Sequence, residues 1–244
     1  MDTCILAFLA SVISLDRSKR GKSLPTRVRV YVAMRDAIVR GQLEPGQRLS
    51  ENTLAGEMGI SRTPIREGLS LLREDRLVET VPQLGSFVAR VDAAAIGDAQ
   101  FIRESLECAA IRLSATAATE ADVDQLEINV QGQARACDVG DLDAFYELDD
   151  SFHHGLCDLS GHPSVWVVSE RAKAHLNRIR RLSLGMPNYL EEMIAEHRLV
   201  IEAVAAHDPD LAESHLRDHL RTVLREVPRM RAEHPDYFER PEDA

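Results

Sequence analysis

The sequence is poor in aromatic residues and in cysteine. Only 5% of its 244 residues are Phe, Trp or Tyr, which argues against a surface that stacks unpaired bases on aromatic rings. The four cysteines form no CxxC pair and no tight framework, so they predict reduced thiols in a cytoplasmic protein. Neither a Gly-rich phosphate loop nor a serine nucleophile elbow is present, which removes two common enzyme signatures.

Long hydrophobic runs are also missing. No apolar stretch approaches the roughly 20 residues that span a bilayer, and we expect no membrane segment. Residues 4–15 imitate the core of a signal peptide, but the residues before them carry no positive charge and the basic residues follow. We therefore interpret residues 1–23 as an N-terminal extension. It is either a helix that packs on the body or the product of an over-extended start codon.

Charge is divided unevenly along the chain. Residues 1–91 carry 14 Lys and Arg against 10 Asp and Glu, whereas residues 92–244 carry 15 against 30. The net charge of −11 therefore comes from the second part. Because the local field decides whether a polyanion binds, the acidic total does not exclude nucleic-acid binding by the mildly basic first part.

Residues 49–90 follow the order of a short helix, a tight turn, a basic helix and two short strands. Ser50 is placed to cap the first helix, and Gly59 is placed to end it. Ser61 can cap the second helix, in which Ile65, Leu69 and Leu72 form an apolar stripe. This order predicts a winged helix-turn-helix, whose second helix enters the major groove of DNA.

The segment SRTPIREGLSLLREDRLVE, followed by a glycine-containing wing, resembles the GntR family of bacterial regulators. The resemblance implies that Arg62, Thr63 and Arg66 contact DNA from the recognition helix, and that Gly85 forms the tip of the wing. Asn52 departs from the pattern, because some relatives carry an arginine there that helps to read the operator. The full set of candidate DNA-binding residues is Arg48, Ser50, Ser61, Arg62, Thr63, Arg66 and Gly85.

Helical periodicity takes over after Arg90. Gly, Asp and Pro punctuate the sequence into helices at 92–115, 119–138, 141–159, 162–184, 188–207 and 209–231. The predicted fold is mainly α, with a winged helix-turn-helix at residues 24–91 and an all-α six-helix antiparallel bundle at 92–232. We expect residues 233–244 to form a flexible tail.

All nine histidines lie in the second part of the chain, residues 92–244. Asp149 and His153 are four residues apart, so a helix presents both from one face. His197 and His219 belong to the fifth and sixth predicted helices. One carboxylate and three imidazoles that point into a bundle can hold a divalent transition metal, although a solvated polar face has the same composition.

Three motifs resemble the FCD sensor domain of the fatty-acid-regulator branch of GntR proteins. They are D-x-x-F-H at 149–153, E-H-R at 196–198 and R-x-H-L at 217–220. Many members of this branch bind a metal through one Asp and three His. The resemblance therefore implies the ligands Asp149, His153, His197 and His219, with Zn²⁺ as the first candidate and Ni²⁺ or Mn²⁺ as alternatives. His154 and His215 fall outside this set.

The pattern R-x-x-L-E-x-x-A at 103–110 matches the first sensor helix of the same family. Arg103 is our candidate for a bidentate clamp on a small carboxylic acid, and Glu107 is the group that pairs with it when the site is empty. Arg178 is a second candidate for binding this effector. The alternative is an ordinary i,i+4 ion pair on the helix surface.

Together these features predict a DNA-binding regulator that is not an enzyme. In this family such a protein is usually a repressor, which binds palindromic double-stranded DNA as a homodimer and responds to a carboxylate effector. Three alternatives stay open. The metal ion itself could be the signal, a metal-dependent enzyme could be fused to the DNA-binding part, or the effector could be an acyl-CoA. Against the enzyme alternative, no general base is evident beside the metal ligands, since Glu196 faces about 100° away from His197 on its helix.

Overall fold

The computed structural model describes residues 24–239. The predicted N-terminal extension, residues 1–23, and the last five residues lie outside this range. The described chain forms two compact units. One unit is Ala94–Glu233, and the other contains the residues before Ala94 together with the segment that begins at His234. Within residues 24–239, no helix has both the length and the apolar composition that crossing a membrane requires.

The first unit is a winged helix-turn-helix, as the sequence predicts. Its elements are α1 (Thr26–Val39), β1 (Arg48–Leu49), α2 (Glu51–Met58), α3 (Arg62–Glu74), β2 (Val78–Val81) and β3 (Gly85–Val88). The three strands form an antiparallel sheet in the order β1-β3-β2. The core of this unit lies beneath α3, whose buried face consists of Ile65, Gly68, Leu69 and Leu72.

Local signals explain where α2 and α3 begin and end. The Ser50 hydroxyl accepts a hydrogen bond from the Thr53 amide at 3.4 Å, so Ser50 is the N-cap of α2. Gly59 ends that helix in the left-handed conformation, with φ of 63°. Ser61 takes the N-cap position of α3, but its hydroxyl makes no capping hydrogen bond. The hydroxyl of Ser61 is therefore not used by the helix that follows.

Gly68 allows α1 and α3 to approach each other closely. A Cβ at this position would lie 2.6 Å from Cγ1 of Val30, which is nearer than side-chain atoms pack. Val30 is fully buried. A larger residue at 68 would therefore push the recognition helix away from α1.

The C-terminal segment is ordered through Glu239, so the prediction of a flexible tail is wrong for residues 235–239. Residues Pro235–Tyr237 form a 3-10 turn, and Phe238 pairs with Val91 in a parallel bridge. The Val91 amide donates to the Tyr237 carbonyl at 2.7 Å, and the Glu239 amide donates to the Val91 carbonyl at 3.1 Å. Phe238 is only 2% exposed. Burial of this ring outweighs the polar composition of the residues around it.

We expect Phe238→Ala to destabilise the winged-helix unit by about 3 kcal/mol, because it removes a buried aromatic side chain. Hydrogen–deuterium exchange of the β2–β3 hairpin at increasing urea concentration measures this loss. Phe101→Ala is the matched control, since Phe101 lies on the other unit and is 74% exposed. Unchanged protection in Phe238→Ala would mean that the segment does not stabilise this unit.

The second unit is entirely helical, which confirms the predicted fold class. Its helices are α4 (Ala93–Ala117), α5 (Glu120–Val139), α6 (Leu142–Leu159), α7 (Ser164–Ala172), α8 (Ala174–Ser183), α9 (Tyr189–Ala205) and α10 (Pro209–Glu233). Thr119 and Asp122 form a capping box at the start of α5, and Asp141 caps α6. These caps place the helix ends within two residues of the predicted ones.

The helix predicted at 162–184 is wrong in one respect, because it is broken into α7 and α8 at Lys173. The side chain of Lys173 is fully buried, and its Nζ lies 3.0 Å from Asp150 Oδ1 and 2.9 Å from Glu170 Oε2. The same ammonium group lies 3.8 Å from the centre of the Trp166 ring. These contacts supply the partners that a buried cation needs, and they hold the chain in the broken conformation.

Candidate functional site

Four buried side chains from three helices converge inside the helical unit. Asp149 and His153 come from α6, His197 comes from α9 and His219 comes from α10. One nitrogen or oxygen of each residue lies within 4.8 Å of those of the others. The structure therefore brings together all four residues that the sequence motifs imply as metal ligands.

The spacing of these atoms suits a shared cation. His219 Nε2 lies 3.2 Å from His153 Nε2 and 3.1 Å from His197 Nε2. Asp149 Oδ1 lies 3.4 Å from His197 Nε2 and 3.8 Å from His153 Nε2. Two ligands bound about 2.0–2.1 Å from one ion are separated by roughly 2.8–3.4 Å at bond angles between 90° and 109°. Without a cation, His219 Nε2 could donate a proton to only one of its two neighbours.

The opposite ring nitrogens of two of these histidines are held by side chains from other helices. His197 Nδ1 lies 2.8 Å from Gln133 Oε1, and His219 Nδ1 lies 2.8 Å from Glu196 Oε2. The other Glu196 oxygen accepts a hydrogen bond from Thr222 at 2.9 Å. A partner at Nδ1 fixes the tautomer and leaves Nε2 free to bind a metal. Glu196 therefore does contact the site, although its position next to His197 suggests otherwise.

Glu107, on α4, contacts His153, the remaining histidine of the cluster. Its Oε2 lies 3.0 Å from His153 Nδ1, while its Oε1 accepts hydrogen bonds from Arg103 Nε at 2.9 Å and from the Ser169 hydroxyl at 3.0 Å. Arg103 and Glu107 are both buried. The predicted i,i+4 pair is thus an interior ion pair beside the cluster and not a surface pair.

The two oxygens of Asp149 have different surroundings. Oδ2 accepts a hydrogen bond from Arg180, which also donates to Asp150 Oδ1 at 3.2 Å and to Asn177 Oδ1 at 2.8 Å. Oδ1 is buried and has no hydrogen-bond partner among residues 24–239. This unpaired oxygen faces the imidazoles, which is the arrangement expected of a ligand atom.

Burial and charge set the protonation states that a metal requires. Burial raises the pKa of Asp149, but the attraction of Arg180 and then of the three imidazoles outweighs it and holds that pKa below its usual value. Burial, followed by the charge of Arg103, lowers the pKa of His153 to about 4. The pKa of His197 is lowered well below its usual value, first by burial and then by His219. The ionised carboxylate of Asp149 and the neutral imidazoles of His153 and His197 are forms that coordinate a cation.

The residues present therefore fit a divalent ion, on the evidence of atom spacing, an unpaired carboxylate oxygen and the side chains that hold the Nδ1 atoms of His197 and His219. His154 and His215 lie outside the cluster, as predicted. His154 instead pairs with Asp158 at 3.4 Å and stacks on Trp166. The sequence motifs gave Gln133, Glu196 and Arg180 no role at the cluster. Glu196 stands in the E-H-R motif, but the motif pointed only to His197 as a ligand.

All three predicted effector-binding residues are buried. Arg103 and Glu107 lie beside the metal cluster, and Arg103 Nη2 is buried without a hydrogen-bond partner in the described chain. Arg178 is buried on α8, two residues before Arg180. Of the two arginines, Arg103 is the one whose contact to Glu107 ties it to the cluster through His153.

The predicted DNA-contacting residues of the recognition helix are exposed at its N-terminal end. Arg62, Thr63 and Arg66 belong to the first five residues of α3, and Ser61 precedes it. Their arrangement leaves two guanidinium groups and two hydroxyls at the end of the helix that reaches bases and phosphates in such domains. Ser50 caps α2 by accepting from the Thr53 amide, and its hydroxyl keeps an O–H donor that can still bond a phosphate.

Glu51 holds the two arginines of α3 in place, and the sequence motifs did not identify it. Its Oε2 accepts hydrogen bonds from Arg62 Nη2 and Arg66 Nη2, both at 3.1 Å, and its Oε1 accepts from Arg66 Nε at 3.3 Å. The hydrogen bond from Arg66 is the main cause that lowers the pKa of Glu51. Both arginine side chains are more than half exposed, so they stay accessible to a ligand.

The wing differs in detail from the prediction. Residues 82–84 form its turn, with Gln83 in the left-handed region at φ of 65°, and Gly85 is the first residue of β3. Gly85 has φ of 119°, which side chains rarely adopt, and it lies beside the Arg48 guanidinium. The tip of the wing is therefore Gln83, and Gly85 supplies the backbone conformation that lets the wing return next to Arg48.

Comparison with known proteins assigns the family. The profile of the bacterial regulatory proteins of the gntR family matches residues 26–88, and the FCD domain profile matches residues 98–222. A regulator from Streptomyces ambofaciens, described as an uncharacterized HTH-type transcriptional regulator in an unstable DNA locus, is 43% identical over 86% of this chain and 88% of its own length. The HTH-type transcriptional repressor RspR of Escherichia coli K12 is 33% identical over 88% of this chain and 94% of its own.

Solved structures agree on the fold. The E. coli protein McbR/YncC superposes with a TM-score of 0.74 over 85% of this chain and 99% of its own, at 22% identity. The family and these relatives are transcriptional regulators rather than enzymes. The exposed basic end of α3 thus lies in the part of the chain that matches the gntR family, and the histidine cluster lies in the part that matches the FCD domain. The chain belongs to the GntR family and is a DNA-binding transcriptional regulator with a C-terminal FCD domain.

Proposed function

We propose that the protein is a metabolite-responsive repressor whose helical unit binds a small carboxylic acid at a divalent metal. The observation that carries this proposal is the convergence of Asp149, His153, His197 and His219 around one point, with the Asp149 Oδ1 atom unpaired. These four residues would hold the ion. When bound, the ion supplies open coordination positions that a carboxylate can occupy.

The metal is a transition metal rather than a magnesium or calcium ion, because three imidazoles dominate the ligand set. Zn²⁺ suits four protein ligands, and Ni²⁺ and Mn²⁺ accept the same ligands with further positions open. The outer-shell contacts of Gln133, Glu196 and Glu107 support this proposal, since each meets the Nδ1 side of a different histidine.

The organic effector is an acid because a buried cation, Arg103, lies beside the metal cluster. Arg103 keeps its Nε on Glu107 and leaves Nη2 for another acceptor. A guanidinium in a low-dielectric interior binds a carboxylate strongly, and it does so with defined geometry. Arg103 therefore clamps the acid, and Glu107 keeps the arginine in position.

The DNA-binding unit reads a palindromic operator as part of a homodimer, because two recognition helices must reach successive segments of the major groove. Arg62, Thr63 and Arg66 make the principal contacts, with Arg48 at the wing. Binding of the acid changes operator affinity through a coupling free energy, which is typically about 1–3 kcal/mol. Repression is supported by RspR, a relative that is 33% identical and is described as a transcriptional repressor. The cytoplasm, where the DNA is, is the place of action.

A thermal-shift screen tests the proposal directly. We expect an organic acid to raise the melting temperature of metal-loaded protein but not of EDTA-treated protein, because the acid binds only the native, metal-containing state. At a hundredfold excess over Kd the stabilisation is about 2.7 kcal/mol, or roughly 5–10 °C for a chain of this size.

Two outcomes contradict the proposal in different ways. Acid binding that survives metal removal would mean that the effector does not bind at the metal ion. Stabilisation by metal alone, together with metal-dependent DNA binding and no response to any acid, would make the ion itself the signal. Both measurements use the full-length chain. Protein that is reloaded with metal after EDTA treatment is the control for damage by the chelator.

A further inference from the structure

Gln100 is a buried side chain whose amide makes no hydrogen bond within the described chain, residues 24–239. It lies on α4 with 4% of its surface exposed, and neither its Nε2 nor its Oε1 has a hydrogen-bond partner among residues 24–239. Buried amides are nearly always paired, because an unpaired one destabilises the fold. An unpaired buried amide that persists in a protein is a candidate for binding something else.

The position of Gln100 relates it to the metal cluster. Gln100, Arg103 and Glu107 lie on the buried stripe of α4. Gln100 and Glu107 are seven residues apart, which on an α-helix is about 20° of rotation and roughly 10 Å along the axis. Arg103 lies between them, and Glu107 contacts the ligand His153. The unpaired atoms of Gln100 and Arg103 are therefore on successive turns that lead away from the cluster.

A second glutamine shows what a structural role looks like in the same unit. Gln133 is fully buried on α5, and both ends of its amide are used. Its Nε2 donates to Asn129 Oδ1 at 2.9 Å, and its Oε1 lies 2.8 Å from His197 Nδ1. The contrast between the two buried glutamines is that hydrogen bonds among the described residues account for the burial of the Gln133 amide but not for that of Gln100.

We propose that Gln100 binds the effector and selects acids that carry a hydroxyl group remote from the carboxylate. This inference rests on the proposed function, in which the carboxylate occupies the metal and Arg103. A hydroxyl can accept from the Gln100 amide N–H and donate to its carbonyl at once, whereas a second carboxylate can only accept and would leave Oε1 unpaired. The distance along α4 suits an acid of about four to six carbons, after allowance for the reach of the side chains.

The first test needs no ligand. Gln100→Leu in the metal-loaded full-length protein should raise the melting temperature by about 2–4 °C, because it removes an unpaired buried amide and keeps the side chain's volume. Gln133→Leu is the matched control and should lower the melting temperature, because its amide is paired. If Gln100→Leu also lowers it, the amide of Gln100 is structural and the assignment is overturned.

The second test uses three six-carbon acids: gluconate, hexanoate and adipate. Calorimetry on the metal-loaded wild type should rank gluconate first, and Gln100→Leu should lower the ratio of gluconate to hexanoate affinity at least tenfold, since the leucine leaves the hydroxyl without a partner. Metal content, measured by inductively coupled plasma mass spectrometry, should be the same in both proteins.

The outcomes separate this inference from the proposed function. Equal acid preferences in wild type and Gln100→Leu would overturn the role of Gln100 and leave the metal site standing. Failure of gluconate to bind the metal-loaded wild type, or a preference for adipate, would overturn the hydroxyl-bearing class. Gluconate binding by EDTA-treated protein, with loss of that binding in Gln100→Leu, would support Gln100 and contradict the metal-dependent effector site.

Discussion

His197→Ala is expected to cost the protein its metal ion while the winged-helix unit stays folded. His197 is completely buried, and its Nε2 lies close to both His219 and Asp149. Four-ligand zinc sites bind with an apparent free energy of about 10–16 kcal/mol, so one ligand accounts for about 2.5–4 kcal/mol and its loss weakens binding by roughly two to three orders of magnitude. Competition with a chelator, followed by metal analysis, measures the change.

The control for this substitution is His215→Ala. His215 lies on α10 one turn before His219 but outside the cluster, so its replacement removes an imidazole without removing a ligand. Circular dichroism and DNA binding check that both variants are folded. Full metal stoichiometry in His197→Ala would exclude His197 from the site. Equal metal loss in both variants would point to general damage of the helical unit.

The ligand set could be predicted because its chemistry is visible in the sequence. Asp149 and His153 are one helical turn apart, so any helix at that position brings them together. His197 and His219 came from family motifs, and the structure supplies the reason that they meet, since α9 and α10 pack against each other. The caps at Ser50, Gly59 and Thr119 likewise fix helix ends by local hydrogen bonds and backbone conformation.

The outer shell could not be predicted because it depends on contacts between distant segments. Gln133 is 64 residues from His197, and Glu196 belongs to a different helix from the His219 that it contacts. A single sequence does not specify how α5, α9 and α10 are rotated about their axes, and a small rotation would replace these partners with others. Glu196 illustrates this point, since its rotation away from His197 on α9 is what turns it toward α10.

The helix break and the C-terminal segment were missed for a related reason. No Gly or Pro lies between Ser164 and Ser183, so local signals favour one continuous helix. The break at Lys173 depends on Asp150, which is on another helix. At the C-terminus, the charged residues around Phe238 suggest a solvated tail, whereas one aromatic ring and the backbone of Val91 suffice to order the segment.

Two arginines at the start of the recognition helix, Arg62 and Arg66, are partly neutralised by the carboxylate of Glu51. Glu51 lies at the start of α2 and accepts from both Arg62 and Arg66, so the carboxylate orients two cations that would otherwise sample many rotamers. Fixing them beforehand lowers the entropy lost on binding DNA. The carboxylate also limits attraction to phosphates at large, which favours sequence-specific over non-specific contacts. Arg66, with two hydrogen bonds to Glu51, is the better ordered of the two.

Arg66→Ala is therefore expected to abolish specific operator binding. A bidentate contact from arginine to guanine is worth about 1–3 kcal/mol, and in the proposed homodimer the loss occurs at both half-sites, so affinity should fall by roughly two to four orders of magnitude. Fluorescence anisotropy measures this on a DNA fragment that the wild type selects from a random pool. Metal content should not change, because Arg66 belongs to the winged-helix unit.

Arg73→Ala separates base recognition from net charge. Arg73 lies at the other end of the same helix and donates to the Thr80 hydroxyl at 3.2 Å. Both substitutions remove one positive charge per chain, so both weaken binding to random DNA to a similar extent. Only Arg66→Ala should also lower the ratio of specific to non-specific affinity. Equal losses in the two variants would mean that α3 contributes charge alone, and that the operator is read by another part of the unit, with the wing around Arg48 as the next candidate.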